Sequence, residues 1–317
     1  MSNQGLQRNL EFMNASESPV LEDTPVVTEG AVDARRDTDS LSTTVDHVIV
    51  PLDGSPLAER ALVVASDVAS ALGAELLLLG IAPQSRAVEL RAYLTELGVR
   101  SQIGPMASHV EVGSDAAAVI VSAARSDRSL VCMSSHGHSR FTSTLLGSVS
   151  TAVLTSIDRP VIMLGPKATI GSPGAPALAY LDGSEIPHHA LRTANAWAEA
   201  FGVSLTAVTV AEPVPPSTKP GQASYSRMFG PALDADRYLT DIAAMCAHSG
   251  PAIATQAIFD PISPAEGLAG YLATHPARFI MVVSPPGSSA SHPHIGRGVA
   301  DIVRSCPVPV LFPEPNA

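Results

Sequence analysis

Lysine is nearly missing from this chain: of 317 residues only Lys167 and Lys219 are lysines, and neither lies in a basic run. With 19 Lys and Arg against 30 Asp and Glu the formal charge is −11. Such a surface repels a phosphate backbone or an anionic lipid surface, so nucleic acid and membrane are not expected partners. Cysteine is scarce as well. Cys132, Cys246 and Cys306 are far apart and odd in number, too few for a disulfide framework or a zinc cluster, and a reducing compartment suits them. The N-terminus has no basic start followed by an apolar stretch, and the most apolar region, residues 71–83, is broken by Glu75. Neither a signal peptide nor a spanning helix is predicted, and a cytoplasmic location is expected. No Gly-x-Gly-x-x-Gly follows a strand and neither lysine sits in a Gly-x4-Gly-Lys-Ser/Thr loop, which leaves dinucleotide dehydrogenases and P-loop NTPases unsupported.

What is present is apolar side chain, 45% of the residues against 15% charged, enough for two buried cores in a chain of this length. The first 45 residues stand apart: eight Asp and Glu against three Arg, net −5, without apolar periodicity, read as a disordered acidic tail. From His47 the pattern turns regular. His47–Leu52 is a β-branched run, Pro56–Leu72 carries apolar residues at helical spacing, and Glu75–Ala82 is a buried strand. A helix over Arg86–Leu97 follows, then a strand and helix around Ser114 or Asp115 as N-cap, a strand from Ser129, a helix over Ser143–Ser156 and a last strand near Val161. Strands alternating with helices predict a parallel sheet covered on both faces.

Residues 167–176, rich in Gly and Pro, read as a linker. Beyond it the pattern restarts. Val50-Pro51-Leu52-Asp53-Gly54-Ser55 recurs as Ala179-Tyr180-Leu181-Asp182-Gly183-Ser184, and at the same offset of 129 Ala61-Leu62 matches Ala190-Leu191, Gly73 matches Gly202 and Leu76 matches Leu205. The chain is therefore read as a duplication, domain 1 over 46–166 and domain 2 over 177–317. The offset grows to 150 between Gly137 and Gly287, which places an insertion of 21 residues over 213–233, read as a surface loop.

In an open parallel sheet, ligands settle beyond the carboxyl ends of the strands where the strand order reverses. Two segments of the first copy end strands there: Pro51-Leu52-Asp53-Gly54-Ser55, and Ser134-Ser135-His136-Gly137 followed after nine residues by Gly147-Ser148-Val149. Glycines let backbone N–H groups approach phosphate oxygens, and a helix start favours an anion without any lysine. The same residues would also serve simply to end strands and cap helices, Asp53 included. His136 and His138, like His292 and His294, alternate without a third ligand nearby and read as loop histidines, not as a metal site. His294-Ile295-Gly296-Arg297 imitates a nucleotidyl-transferase signature but precedes the last helix instead of following the first strand. Cys132 lies inside an apolar strand and reads as packed.

These motifs in this order, closed by Pro160-Val161-Ile162-Met163-Leu164, resemble the universal stress protein family, and the duplication resembles its tandem members. The resemblance implies two flavodoxin-like or Rossmann-like (adenine nucleotide alpha hydrolase-like) α/β domains, each a five-stranded parallel sheet with helices on both faces. It implies ATP as the bound cofactor, accompanied by Mg2+. Asp53 would meet adenine or ribose, Ile81 would line the adenine, and Gly137, Gly147, Ser148 and Val149 would hold phosphates. Pro51, Gly54, Ser55, Ser134, His136 and Arg140 complete the implied set. Ser134 stands where the ATP-binding branch has a glycine. The second copy departs further, with Ser284-Pro285-Pro286-Gly287, eight residues, then Gly296-Arg297; its prolines remove amide donors, so it is read as a degenerate site. The expected function is that of an ATP-binding stress-response regulator with an unidentified signalling partner, capable at most of slow ATP hydrolysis or autophosphorylation and able to form a homodimer. The alternative is an interaction module of the same fold that binds no nucleotide. An enzyme of the wider adenine-binding α/β group is disfavoured, because the Ser-Gly-Gly-x-Asp-Ser loop of its pyrophosphatase members is absent.

Overall fold

A computed structural model of the chain describes residues 43–101, 103, 106–125, 128–136, 146–183, 188–211, 235–247, 253–260, 262–283 and 297–313, with the backbone alone at 188, 189, 246, 247 and 297. The readings made for the tail before residue 43, the insertion over 213–233, Gly137, Arg140, His138, Ser284 to Gly287 and Gly296 lie outside these residues.

β1 (His47–Leu52) is almost wholly buried, as a central parallel strand covered on both faces must be. It leads into α1 (Pro56–Leu72), whose start and stop are written in the sequence. The Ser55 hydroxyl accepts from the Ala58 N–H, Pro56 occupies the first turn, and Gly73 closes the helix in the left-handed region at φ 65°. Its buried stripe of Ala58, Ala61, Leu62, Ala65, Val68 and Ala69 packs on the sheet. β2 (Glu75–Ala82), α2 (Ala87–Ser101), β3 (Met106–Val112), α3 (Ala116–Ala123), β4 (Ser129–Ser134), α4 (Ser148–Ser156) and β5 (Val161–Leu164) complete the first half. The second half repeats the plan in β6 (Ala177–Leu181), α5 (His188–Ala200), β7 (Leu205–Ala211), α6 (Ala235–Ala247), β8 (Ala254–Phe259), α7 (Pro264–Leu272), β9 (Ile280–Val282), α8 (Arg297–Ser305) and β10 (Val310–Phe312). No helix among the described residues is long and apolar enough to cross a membrane.

The strands form one ten-stranded sheet in the order β3-β2-β1-β4-β5-β10-β9-β6-β7-β8. Each half has the Rossmann-like order 3-2-1-4-5 with parallel pairing throughout, for example Val50 beside Leu78 and Cys132 beside Ile162. The two halves meet at an antiparallel seam, β5 against β10, with Leu311 facing Ile162. A fused sheet differs from the expectation of one sheet per half. The reason lies in the last strands: all residues of β5 and β10 are buried, and an open edge of that composition would be left unpaired. Antiparallel pairing turns the second half about an axis normal to the sheet, so equivalent helices share a face. One core contains side chains of α1, α2, α5 and α6, and the other those of α3, α4, α7 and α8.

The connector between the halves is a pinned segment. Arg60 of α1 donates to the carbonyls of Pro166, at 2.7 Å, and Ala168. A Cβ at Gly165 would lie 1.7 Å from the Val303 carbonyl oxygen, so only glycine admits this crossing. Thr169 N–H donates to Pro307 and Ser172 N–H to Ala277. Further along α1, Asp67 pairs at 2.8 Å with Arg278 of the second half, whose buried guanidinium lies 5.4 Å above the Phe201 ring.

Candidate functional site

The strand order reverses between β1 and β4, and the loops beyond these two strands face each other there. Beyond β1 the chain turns through Asp53, Gly54 and Ser55. Gly54 has φ 84°, a left-handed conformation that glycine adopts without strain. Asp53 Oδ1 accepts the Ser55 N–H at 2.9 Å, and the Ser55 hydroxyl caps α1. The capping role open to Asp53 from the sequence thus belongs to Ser55. Asp53 holds the turn and remains exposed at the rim of the cleft.

Beyond β4, Ser135 is tied on every side. Its N–H donates to Leu164, its carbonyl accepts from Gly147 N–H and from Ser150 Oγ, each at 3.0 Å, and its hydroxyl meets His136 Nδ1 at 3.0 Å. A Cβ at Gly147 would lie 2.9 Å from that same carbonyl oxygen, so this glycine serves the close approach of the loop to the start of α4. α4 begins with no side-chain cap, whereas α1, α3 and α7 are capped by Ser55, Asp115 and Ser263. Ser148 and Val149 are exposed in its first turn, where the N–H groups of any helix lack internal partners.

Between the loops lies a cleft of about 560 Å³, counting its open mouth, lined by Pro51, Leu52, Asp53, Ala58, Ile81, Ala116, Ile120, Met133, Ser134, His136, Val149 and Ser150. Six residues named from sequence line it: Pro51, Asp53, Ile81, Ser134, His136 and Val149. Gly54 and Ser55 form the turn behind Asp53, and Gly147 and Ser148 adjoin Val149 at the start of α4. The other six lining residues were not anticipated. Ser150 follows directly on Ser148-Val149 and was within reach of the motif. Leu52, Ala58, Ala116, Ile120 and Met133 look in sequence like any core position.

The cleft has an apolar floor and a polar rim with Asp53 as the acid and His136 as the titratable base among the described lining residues. Ser150 Oγ donates to the carbonyls of Ser134 and Ser135, which directs it to the backbone. Cys132, beneath the cleft, is fully buried; desolvation raises its thiol well above the usual range, and its Sγ rests 3.7 Å from the Ala61 carbonyl. No cluster of three His, Cys, Asp or Glu that would hold a metal occurs among the described residues.

The second half keeps the turn, with Gly183 at φ 84°, but surrounds it differently. Tyr180 replaces Pro51 and is 7% exposed; burial first, then nearby Asp182, raises its phenol above the usual range. Thr209 donates to the Leu181 carbonyl at 3.0 Å, and the Gly183 backbone hydrogen-bonds Tyr238 of α6.

Residues 44–165 match the model of the universal stress protein family. No curated protein matches the chain. Among solved structures, a universal stress protein from Archaeoglobus fulgidus DSM 4304 superposes with a TM-score of 0.60 at 18% identity, covering 87% of this chain and 98% of that one. A putative universal stress protein from Pseudomonas aeruginosa UCBPP-PA14 gives 0.55 at 15% identity, with coverages of 85% and 93%. These likenesses concern the fold and extend over both halves. The half that holds the cleft is thus the part of the chain similar to a universal stress protein domain.

Proposed function

We propose that the first half binds an adenine nucleotide, ATP in the first instance, and that the protein is a cytoplasmic stress-response regulator instead of a turnover enzyme. The observation that carries this reading is the cleft itself. Its apolar floor of Leu52, Ile81, Ile120 and Met133 suits a flat heteroaromatic base, while Asp53 at the rim suits hydrogen bonds from an amino group or ribose hydroxyls. The uncapped start of α4 with Ser148 and Val149 suits phosphate oxygens, and needs no lysine. With no three-ligand cluster among the described residues, Mg2+ would be held chiefly by the phosphates. The chain's part is to bind and orient. Ser150 Oγ donates to the carbonyls of Ser134 and Ser135, which turns it away from any nucleophilic role, and any hydrolysis or autophosphorylation would be slow.

A second reading, an interaction module without nucleotide, draws on Ser134 in the place of a glycine. Mass spectrometry of small molecules released on denaturing the purified chain, followed by calorimetric titration with ATP, separates the two. Copurified adenine nucleotide or saturable binding is expected. Clean protein that also fails to bind added ATP establishes the second reading instead.

A further inference from the structure

With β5 and β10 paired in cis, the open edges of the described sheet are β3 and β8. They are equivalent strands, since Gly113 N–H donates to Ala82 and Asp260 N–H donates to Ala211, each at 3.1 Å, one residue beyond each edge. Their defences differ. β3 carries His109 and Glu111, joined at 2.8 Å, polar guards with a carboxylate among them of the kind that keep edges from pairing. At the equivalent positions β8 has Gln256 and Ile258, and its whole sequence, Ala-Thr-Gln-Ala-Ile-Phe, is uncharged. Large apolar side chains stand open at its end, Phe259 at 61% exposure and Ile262 at 68%.

The backbone of β8 is also oriented for pairing. In a parallel ladder, alternate residues direct both their N–H and C=O to one neighbour. Asp260 N–H binds β7, so Ile258 and Gln256 face β7 as well, while Thr255, Ala257 and Phe259 present their amides outward. The Gln256 side chain marks this direction, because its Nε2 donates to the Ala257 carbonyl at 2.7 Å.

We propose that a second copy of this chain docks on this edge, β8 against β8, antiparallel about a two-fold axis at Ala257. Thr255 of each copy then faces Phe259 of the other, and Ala257 faces Ala257, giving about six backbone hydrogen bonds once the Gln256 amide swings aside. The occupant is a copy of the chain because the strip complements itself. Two chains of formal charge −11 repel over most of their surfaces, and an uncharged edge lets them approach with least repulsion. The contact is small and belongs to the weak, transient class. It does not depend on nucleotide binding.

Sedimentation velocity of the full chain at rising micromolar concentration tests this, with a species of twice 32.7 kDa expected to grow in. Ala257→Pro removes an N–H that points outward and leaves the β7 ladder intact, so the fold is retained and dimerisation weakens by at least about tenfold. Gln256→Lys, which adds like charge to both copies, weakens it without altering the backbone. Ser108→Pro, on the β3 edge, leaves it unchanged. A chain that stays monomeric throughout, or a dimer indifferent to both β8 variants, or one lost with Ser108→Pro instead, overturns the proposal.

Discussion

A methyl group at Gly147 would press on the Ser135 carbonyl oxygen at 2.9 Å, while the next residue, Ser148, is exposed at the head of α4. The two therefore answer different questions. Gly147→Ala is expected to cost about 1–3 kcal/mol of stability in urea unfolding, since backbone must move to admit the methyl. Ser148→Asp leaves stability unchanged or slightly improved, because a carboxylate suits a helix start, yet it opposes a bound phosphate and lowers ATP affinity at least about tenfold. Calorimetry and urea titration of both variants check the pair. Cys306 gives a pH prediction. Burial pushes its thiol from 9.0 up to about 12, with Lys167 acting in the opposite direction. A thiol held protonated by the fold supports stability fully below pH 9.0, and this support is lost as pH rises towards about 12. The urea midpoint should fall above pH 9.0, and Cys132 and Cys306 should resist alkylation near neutral pH, as read by peptide mass mapping. At this scale the sequence disclosed the polar half of the cleft, because Asp53, Ser134 and His136 sit in spaced motifs. It hid most of the apolar floor: Ile81 was named through the resemblance, whereas Leu52, Ile120 and Met133 carry no mark that separates a cleft floor from a core.

Among the elements, α1 ties the candidate site, the connector and the second half together. It starts at the turn that holds Asp53, clamps the connector through Arg60, and meets the second half through Asp67. Asp67→Ala would leave Arg278, only 7% exposed, without its carboxylate, at a cost of about 3 kcal/mol in the denaturant midpoint. Pro56–Leu72 was readable from its apolar spacing and from the proline in its first turn, although the cap is Ser55 and not the Asp53 that the sequence offered. α2 was readable only in part: it continues past Leu97 to Ser101 through Gly98, a glycine that remains helical instead of ending the helix. The helix read from Ser143 is described only from Ser148, where Gly147 marks its N-cap.

For the whole molecule, alternating strands and helices announced a parallel sheet and the offset of 129 announced a repeated plan. The seam was not legible. Val161–Leu164 and Val310–Phe312 are short apolar runs, and local periodicity does not say that two edges 150 residues apart in kind will pair with each other. The glycines of the connector likewise read as freedom, whereas Gly165 is required by a backbone crossing against Val303. Because the last strands are consumed within one chain, association between chains must use another surface, which is why the β8 edge matters.

The account's central claim is that the two loops beyond β1 and β4 hold an adenine nucleotide. Hydrogen exchange of the full chain with and without ATP, followed by mass spectrometry, tests it most directly. The prediction is slowed exchange in peptides covering Asp53 to Ala58 and Ser134 to Ser150, with the corresponding turn at Asp182 unaffected. Protection confined to the second half, or none anywhere at saturating ATP, would contradict the claim.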